Sequence, residues 1–171
     1  LNRSDTASSG QVVTATSATA ADFQAAGGKV LQYAYTEDLT SSSTTSTTLA
    51  TSGTSVVLGS TLASSSAKVR IRVSFTYAVD TSRDCKFSLY DGSALLNPTG
   101  MEALAFANTN GGGGSAGKYM HFEFQDTVSS TTPKTYTLYM CSNTSAAIYI
   151  GRNDNDGLQV PTIMIAEELA V

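Results

Sequence analysis

From Val69 to Tyr77 the chain alternates without a break: Val69, Ile71, Val73, Phe75 and Tyr77 are apolar, and Arg70, Arg72, Ser74 and Thr76 between them are polar. Successive side chains of a β-strand point to opposite faces, so strict period two means one dry face and one wet face. That is a half-buried strand, the kind found in antiparallel sheets that pack one side on a core. The same rhythm returns in Cys85 to Tyr90, which ends at the turn dipeptide Asp91-Gly92. It returns again in Lys118 to Gln125, with Met120, Phe122 and Phe124 inward and Tyr119, His121 and Glu123 outward. Shorter strand signals lie at Val30 to Tyr35, Ser55 to Leu62, Thr135 to Cys141, Ala147 to Gly151 and Thr162 to Glu167. Met101 to Ala107 reads as a weak strand or a single helical turn, and no stretch of helical period reaches a proper length. Eight to ten short strands divided by Gly, Asn, Asp and Ser clusters predict an all-β sandwich or barrel. A jelly-roll β-sandwich, which manages exposed edges by folding two Greek keys into paired sheets, is the expected architecture. An immunoglobulin-like sandwich ranks second, because the chain has no Trp to fill that fold's usual buried position.

Composition narrows the function classes. At 171 residues the chain fits one domain, or one domain with a short extension, and folding should bury roughly 70% of its extended surface. Charged residues make up 14%, against about 25% in ordinary globular chains, and Ser and Thr take their place in runs such as Ser41 to Thr48. This is the habit of an extracellular or virion β protein. Net charge is −4 and the ten basic residues are scattered, so no clustered cationic surface exists to displace counterions from a nucleic acid. No apolar run is long enough to insert into a membrane as a helix, and no signal-peptide layout opens the chain. The first residue is Leu1 rather than Met, so a longer parent chain is expected. Cys85 shares phase with Phe87 and Leu89, whereas Cys141 shares it with Thr137 and Tyr139. Opposite phases within one sheet aim the two thiols at opposite faces, so free thiols are expected.

Reactive chemistry is sparse. The only histidine, His121, falls on the wet phase of its strand, where it reads as a surface residue rather than a general base. No nucleophile elbow, zinc-protease helix or phosphate loop occurs. Glycoside hydrolysis needs two carboxylates about 5–10 Å apart in a groove, and the acidic residues here lie mostly in turns. Glu167-Glu168 reads as the solvated end of the last strand. No enzyme activity, cofactor or metal is expected. Asn153-Asp154-Asn155-Asp156-Gly157 resembles part of a calcium loop but lacks the distal bidentate Glu, so an inter-strand turn is the better reading. Asn110 to Gly117 holds four consecutive glycines and reads equally as a flexible connection or as an adaptable tip that touches a ligand. Asn110, Gly112, Asn153, Asp154, Asn155 and Asp156 are therefore the candidate receptor-contact residues. Eight Tyr against six Phe suit surfaces that are part apolar and part wet, although core packing accounts for at least half of them.

Residues 1–28 differ from the rest. They are Ala, Thr, Ser and Gly with only Val12, Val13 and Phe23 as sizeable apolar groups, too little to bury alone. An extended segment leaning on partner chains is expected there, joined by Gly27-Gly28 to a head of residues 29–171. Gly10-Gln11-Val12-Val13-Thr14 followed by a small-residue turn and Phe23 resembles a short motif of bacteriophage tail-fibre proteins, with Val13 where Leu is usual and Phe23 where Trp is usual. Gly28-Lys29-Val30-Leu31-Gln32 and the closing Thr162 to Glu167 are similar to the start and end of a C-terminal domain of virion fibre proteins. The resemblance brackets Gly10 to Glu168. It implies a homotrimer with a stalk or collar at residues 1–28 and a jelly-roll head of the tumour-necrosis-factor or C1q type. It further implies a place on the virion, at the tail or on the capsid surface, among other virion proteins. The implied role is attachment to a host-surface glycan or protein, or capsid decoration. In such a trimer Phe23, Tyr33, Tyr35, Tyr139 and Tyr149 become the candidate subunit contacts. A secreted bacterial carbohydrate-binding or adhesin domain is the alternative outside the virion.

Overall fold

A computed structural model describes residues 11–15, 21–25, 29–79, 84–108, 117–153 and 158–170. Fifteen strands and no helix occur among them. They are β1 (Gln11–Ala15), β2 (Ala21–Ala25), β3 (Val30–Asp38), β4 (Ser42–Thr44), β5 (Ala50–Leu58), β6 (Lys68–Val79), β7 (Asp84–Asp91) and β8 (Ala94–Leu95). The remainder are β9 (Ala105–Asn108), β10 (Lys118–Thr127), β11 (Lys134–Ser142), β12 (Ile148–Ile150), β13 (Arg152–Asn153), β14 (Leu158–Gln159) and β15 (Thr162–Leu169). β1 and β2 pair with each other as an antiparallel hairpin. Residues 101–104 form no helical turn and lead into β9, so Met101 to Ala107 resolves in favour of the strand.

The alternating segment that dominates the sequence becomes β6, the centre of the first sheet. Val73 faces Phe122 of β10 on one side and Met164 of β15 on the other. β15 then pairs with β3, giving the order β3-β15-β6-β10. The short β12 pairs with Tyr77 to Val79, beyond the reach of β15, and β4 pairs with β12 in turn. Two of the sheet's columns are therefore interrupted strands: β12 and β15 form one, and β4 and β3 the other. In the second sheet β11 lies between β5 and β7, and the far side of β7 carries β9 and β8. The chain visits the sheets in the order β3, β5, β6, β7, β9, β10, β11, β15, crossing between them as a double Greek key does. The protein is an all-β jelly-roll sandwich.

The inner faces meet in one core. Val69, Ile71, Val73, Phe75, Ile148, Ile150, Met164 and Ala166 come from the first sheet, and Val56, Leu58, Phe87, Leu89, Tyr136, Leu138 and Met140 from the second. Phe87 reaches across and meets Phe75 edge-on at 4.7 Å and Tyr77 at 5.6 Å between ring centroids. These edge-to-face contacts add to the burial of three large rings. Cys85 and Cys141 are both buried and free. They sit on the adjacent strands β7 and β11 with opposite phases, as alternation requires. Burial pushes the Cys85 thiol up to about 12, which keeps it in the unreactive thiol form.

The closing strand corrects one expectation. Glu167 and Glu168 are not a solvated terminus: they are 8% and 1% exposed. β15 is an inner strand with neighbours on both sides, so its final residues remain inside the sheet.

Candidate functional site

The outer face of the first sheet is a lattice of side chains set by register. One row runs Tyr33, Glu167, Arg70, Gln125 across β3, β15, β6 and β10. The next runs Tyr35, Ile165, Arg72, Glu123, and the third Glu37, Ile163, Ser74, His121. Directly opposed side chains in adjacent strands lie close enough to interact. Glu167 accordingly binds Arg70 at 2.8 Å and Arg72 at 3.0 Å. The Tyr35 hydroxyl donates to Glu37 at 3.0 Å, and that bond raises the tyrosine pKa. Tyr33 is 57% exposed and Tyr119 68%. Around the ion-paired centre, exposed Tyr33 and Tyr35 flank Ile163 and Ile165, which are half-buried. Arg72 Nε is buried and unpartnered.

At one end of this face the chain leaves β12 at Gly151 and makes the hairpin β13–β14 before returning to β15. The Gly151 amide donates to the Thr76 carbonyl and its own carbonyl accepts from Val160, each at 3.0 Å. The Arg152 guanidinium stands 4.1 Å above the Tyr149 ring, a cation–π contact that engages Tyr149 within the chain.

Of the expected subunit contacts, Tyr33, Tyr35 and Tyr149 share the first sheet's outer face. Tyr139 does not join them. It lies on β11 in the second sheet and stacks on Tyr90 with ring centroids 4.0 Å apart. Phase predicts that Tyr139 points outward, but two outward faces exist and phase cannot say which. Phe23 lies in β2, paired with Val13. Around Tyr90 and Tyr139 the second sheet offers hydroxyls from Thr51, Ser55 and Thr137, and its Lys86 is paired with Glu102. Among the expected receptor contacts, Asn153 is the second residue of β13, opposite Leu158 of β14. Asn110, Gly112, Asp154, Asn155 and Asp156 lie outside the described residues.

His121 is exposed, as its phase predicts, and its Nδ1 lies 2.8 Å from Ser74 Oγ. A hydroxyl beside an imidazole can serve acyl transfer only with an orienting group on the ring and donors for the oxyanion. Here His121 of β10 and Ser74 of β6 stand opposite each other on an open sheet face, and among the described residues no third side chain is bonded to the imidazole. Among the described residues no three His, Cys, Asp or Glu side chains converge to hold a metal.

Sequence reasoning missed two features. One is the apolar outer phase of β15, although its signal is present: Ile163-Met164-Ile165-Ala166 is apolar in both phases, the mark of a strand covered on both sides. The other is a polar centre around Glu168, which points inward and accepts from Gln32 Nε2 at 2.7 Å and from the Ala63 amide at 2.6 Å. Its partners are distant in sequence, so no local pattern announces it.

No family model matches the chain. No curated protein matches it either. Solved structures with some likeness include infectious bursal virus-derived T=1 particles (12% identity, 92% of this chain against 40% of that one, TM-score 0.37). Another is dimeric latent PorU from Porphyromonas gingivalis (12% identity, 85% against 14%, TM-score 0.34). A third is the CBM22-1 xylan-binding domain from Paenibacillus barcinonensis (13% identity, 86% against 99%, TM-score 0.29). The chain spans about two fifths of the viral particle chain. With scores this low, the jelly-roll assignment stands on the chain's own strand order.

Proposed function

We propose that this chain is a non-catalytic assembly and attachment module, the head of a bacteriophage fibre or spike. It forms a homotrimer on the virion and presents its loops to a host-surface glycan or protein. One observation carries the reading: on the outer face of the first sheet, exposed Tyr33 and Tyr35 flank half-buried Ile163 and Ile165 of β15. A sheet face that sets Tyr and Ile beside an ion-paired centre is suited to a contact between subunits, where aromatic residues are enriched. The occupant proposed is a second copy of this chain. Face-to-edge or face-to-face packing of copies would cover Ile163, Ile165, Tyr33 and Tyr35 beside the Arg70–Glu167–Arg72 cluster, which carries one net positive charge.

The non-catalytic half rests on site chemistry. The Ser74–His121 pair lacks an orienting group and an oxyanion hole, and no pair of carboxylates faces a groove among the described residues. A second reading, a secreted carbohydrate-binding domain, is favoured by the stacked Tyr90–Tyr139 pair among hydroxyls on the second sheet, because such surfaces suit neutral sugars. A structural decoration protein shares the assembly face and differs only in lacking a receptor.

Gold-labelled antibody against the head, applied to purified particles, tests the reading. Label at fibre tips or capsid projections is expected. A chain found in culture fluid and absent from particles would overturn the virion assignment in favour of the secreted domain.

A further inference from the structure

Beside Glu168 lies a cavity of 440 Å³, bounded by Leu31, Ala67 and Leu169 as apolar walls and by Ser64, Ser66 and Glu168 as polar ones. Its size falls within the range of about 300–1,000 Å³ in which small-molecule sites occur. We infer that this cavity binds a primary ammonium group carried on a small polyhydroxylated body, the chemistry of an amino sugar whose amine is free. The inference concerns a single protomer and stands whether or not the chain assembles.

Two adjacent carboxylates of β15 are held in contrasting ways. Glu167, on the outer face, holds two guanidinium groups. Glu168, on the inner side and 1% exposed, holds only neutral donors, the Gln32 amide and the Ala63 backbone N–H. Among the described residues no Lys, Arg or His forms an ion pair with it. Lys29, just before β3, and Lys68, at the start of β6, are both exposed. A carboxylate buried without a cation is costly, and a cation delivered to it gains most where water is excluded. Two hydrogen bonds occupy two of roughly four acceptor positions on the carboxylate, which leaves capacity for an incoming donor. An ammonium has three donors and no acceptor, so it suits such a group without creating a lone pair that needs satisfying.

The remaining walls suit the rest of the ligand. Ser64 Oγ accepts from the Ser66 amide at 3.1 Å and lies 3.0 Å from Ser66 Oγ, so Ser66 Oγ keeps the freer acceptor capacity for a ligand hydroxyl. Leu31, Leu169 and Ala67 offer an apolar surface for the C–H face of a ring. A divalent cation fits less well, since it needs several oxygen ligands and only one carboxylate is present.

Titration of the intact chain with D-glucosamine, D-glucose and N-acetyl-D-glucosamine, followed by amide resonances, tests this. Glucosamine should shift the Ala63 amide and bind at least about tenfold more tightly than either neutral sugar, in line with one added charged hydrogen bond. Glu168→Gln should abolish that preference. Leu31→Trp, at an exposed rim position, should block the cavity with the dispersed amide spectrum retained, and so serves even if the Glu168 variant fails to fold. Equal binding of glucose and glucosamine would overturn the inference. So would an unmoved Ala63 amide at saturating glucosamine, or glucosamine binding that survives Leu31→Trp.

Discussion

Glu167 and Glu168 are neighbours in the chain and opposites in the structure, because a strand turns successive side chains to opposite faces. Nothing local in Ala166-Glu167-Glu168-Leu169 separates them. The inward carboxylate is held by groups 136 and 105 residues away, a dependence that no sequence window contains. Glu168→Ala orphans a backbone amide and a half-buried side-chain amide, so it should lower unfolding free energy by about 2–4 kcal/mol in urea titration. A loss below about 0.5 kcal/mol would mean the two donors find water instead. Asp126 behaves differently. Burial raises its pKa above the ordinary value of 3.8, despite the 3.0 Å hydrogen bond it accepts from the Tyr136 hydroxyl and the opposing pull of Lys134. A carboxyl raised in the folded state adds stability below its unfolded pKa and loses it as pH rises through the folded value. Asp126→Asn keeps an acceptor for Tyr136 and removes the charge. It should raise the melting temperature near about pH 7 and leave it unchanged near about pH 3. Equal effects at both values would contradict burial as the cause. By contrast, the fate of the cysteines was legible at this scale, since phase alone placed the thiols on opposite faces.

At the scale of elements, the sequence reveals strands in proportion to how cleanly they alternate. β6, β7 and β10 are announced by period two, and their observed bounds extend the expected ones by only a few residues. β4, β8, β13 and β14 have two or three residues each and no periodicity to detect. Of these, β8 pairs with the longer β7, β4 pairs with the three-residue β12, and β13 and β14 pair with each other. β12 and β15 show how such pieces arise: one column of the first sheet is broken at Gly151, where the hairpin β13–β14 leaves and returns. Gly151 has φ +72°, and a Cβ there would meet the Thr40 carbonyl oxygen at 3.0 Å. Both strain and crowding oppose any side chain, so Gly151→Ala should cost about 1–3 kcal/mol by thermal or urea unfolding. Gly92, also at positive φ but with open space around it, should tolerate Ala at a cost of about 1–2 kcal/mol of backbone strain alone. A smaller loss at position 151 than at 92 would show that the break in the column is not sterically fixed.

For the whole molecule, the jelly roll was legible because alternation, strand number and turn spacing agree with one another. Which of the two outer faces each tyrosine occupies was not, since that depends on the order in which the chain crosses between sheets. Tyr139 therefore fell on the second sheet while Tyr33 and Tyr35 fell on the first. The outer phase of β15 links the scales: its residue pattern, its inner-strand position and the exposed Tyr33 and Tyr35 beside it support the proposed contact with another copy. Sedimentation equilibrium of the intact chain and of Ile165→Glu tests this most directly. The account predicts three chain masses for the parent protein and one for the variant, with the β-sheet circular dichroism of both retained. A parent chain that sediments as a monomer across the accessible concentration range would contradict it.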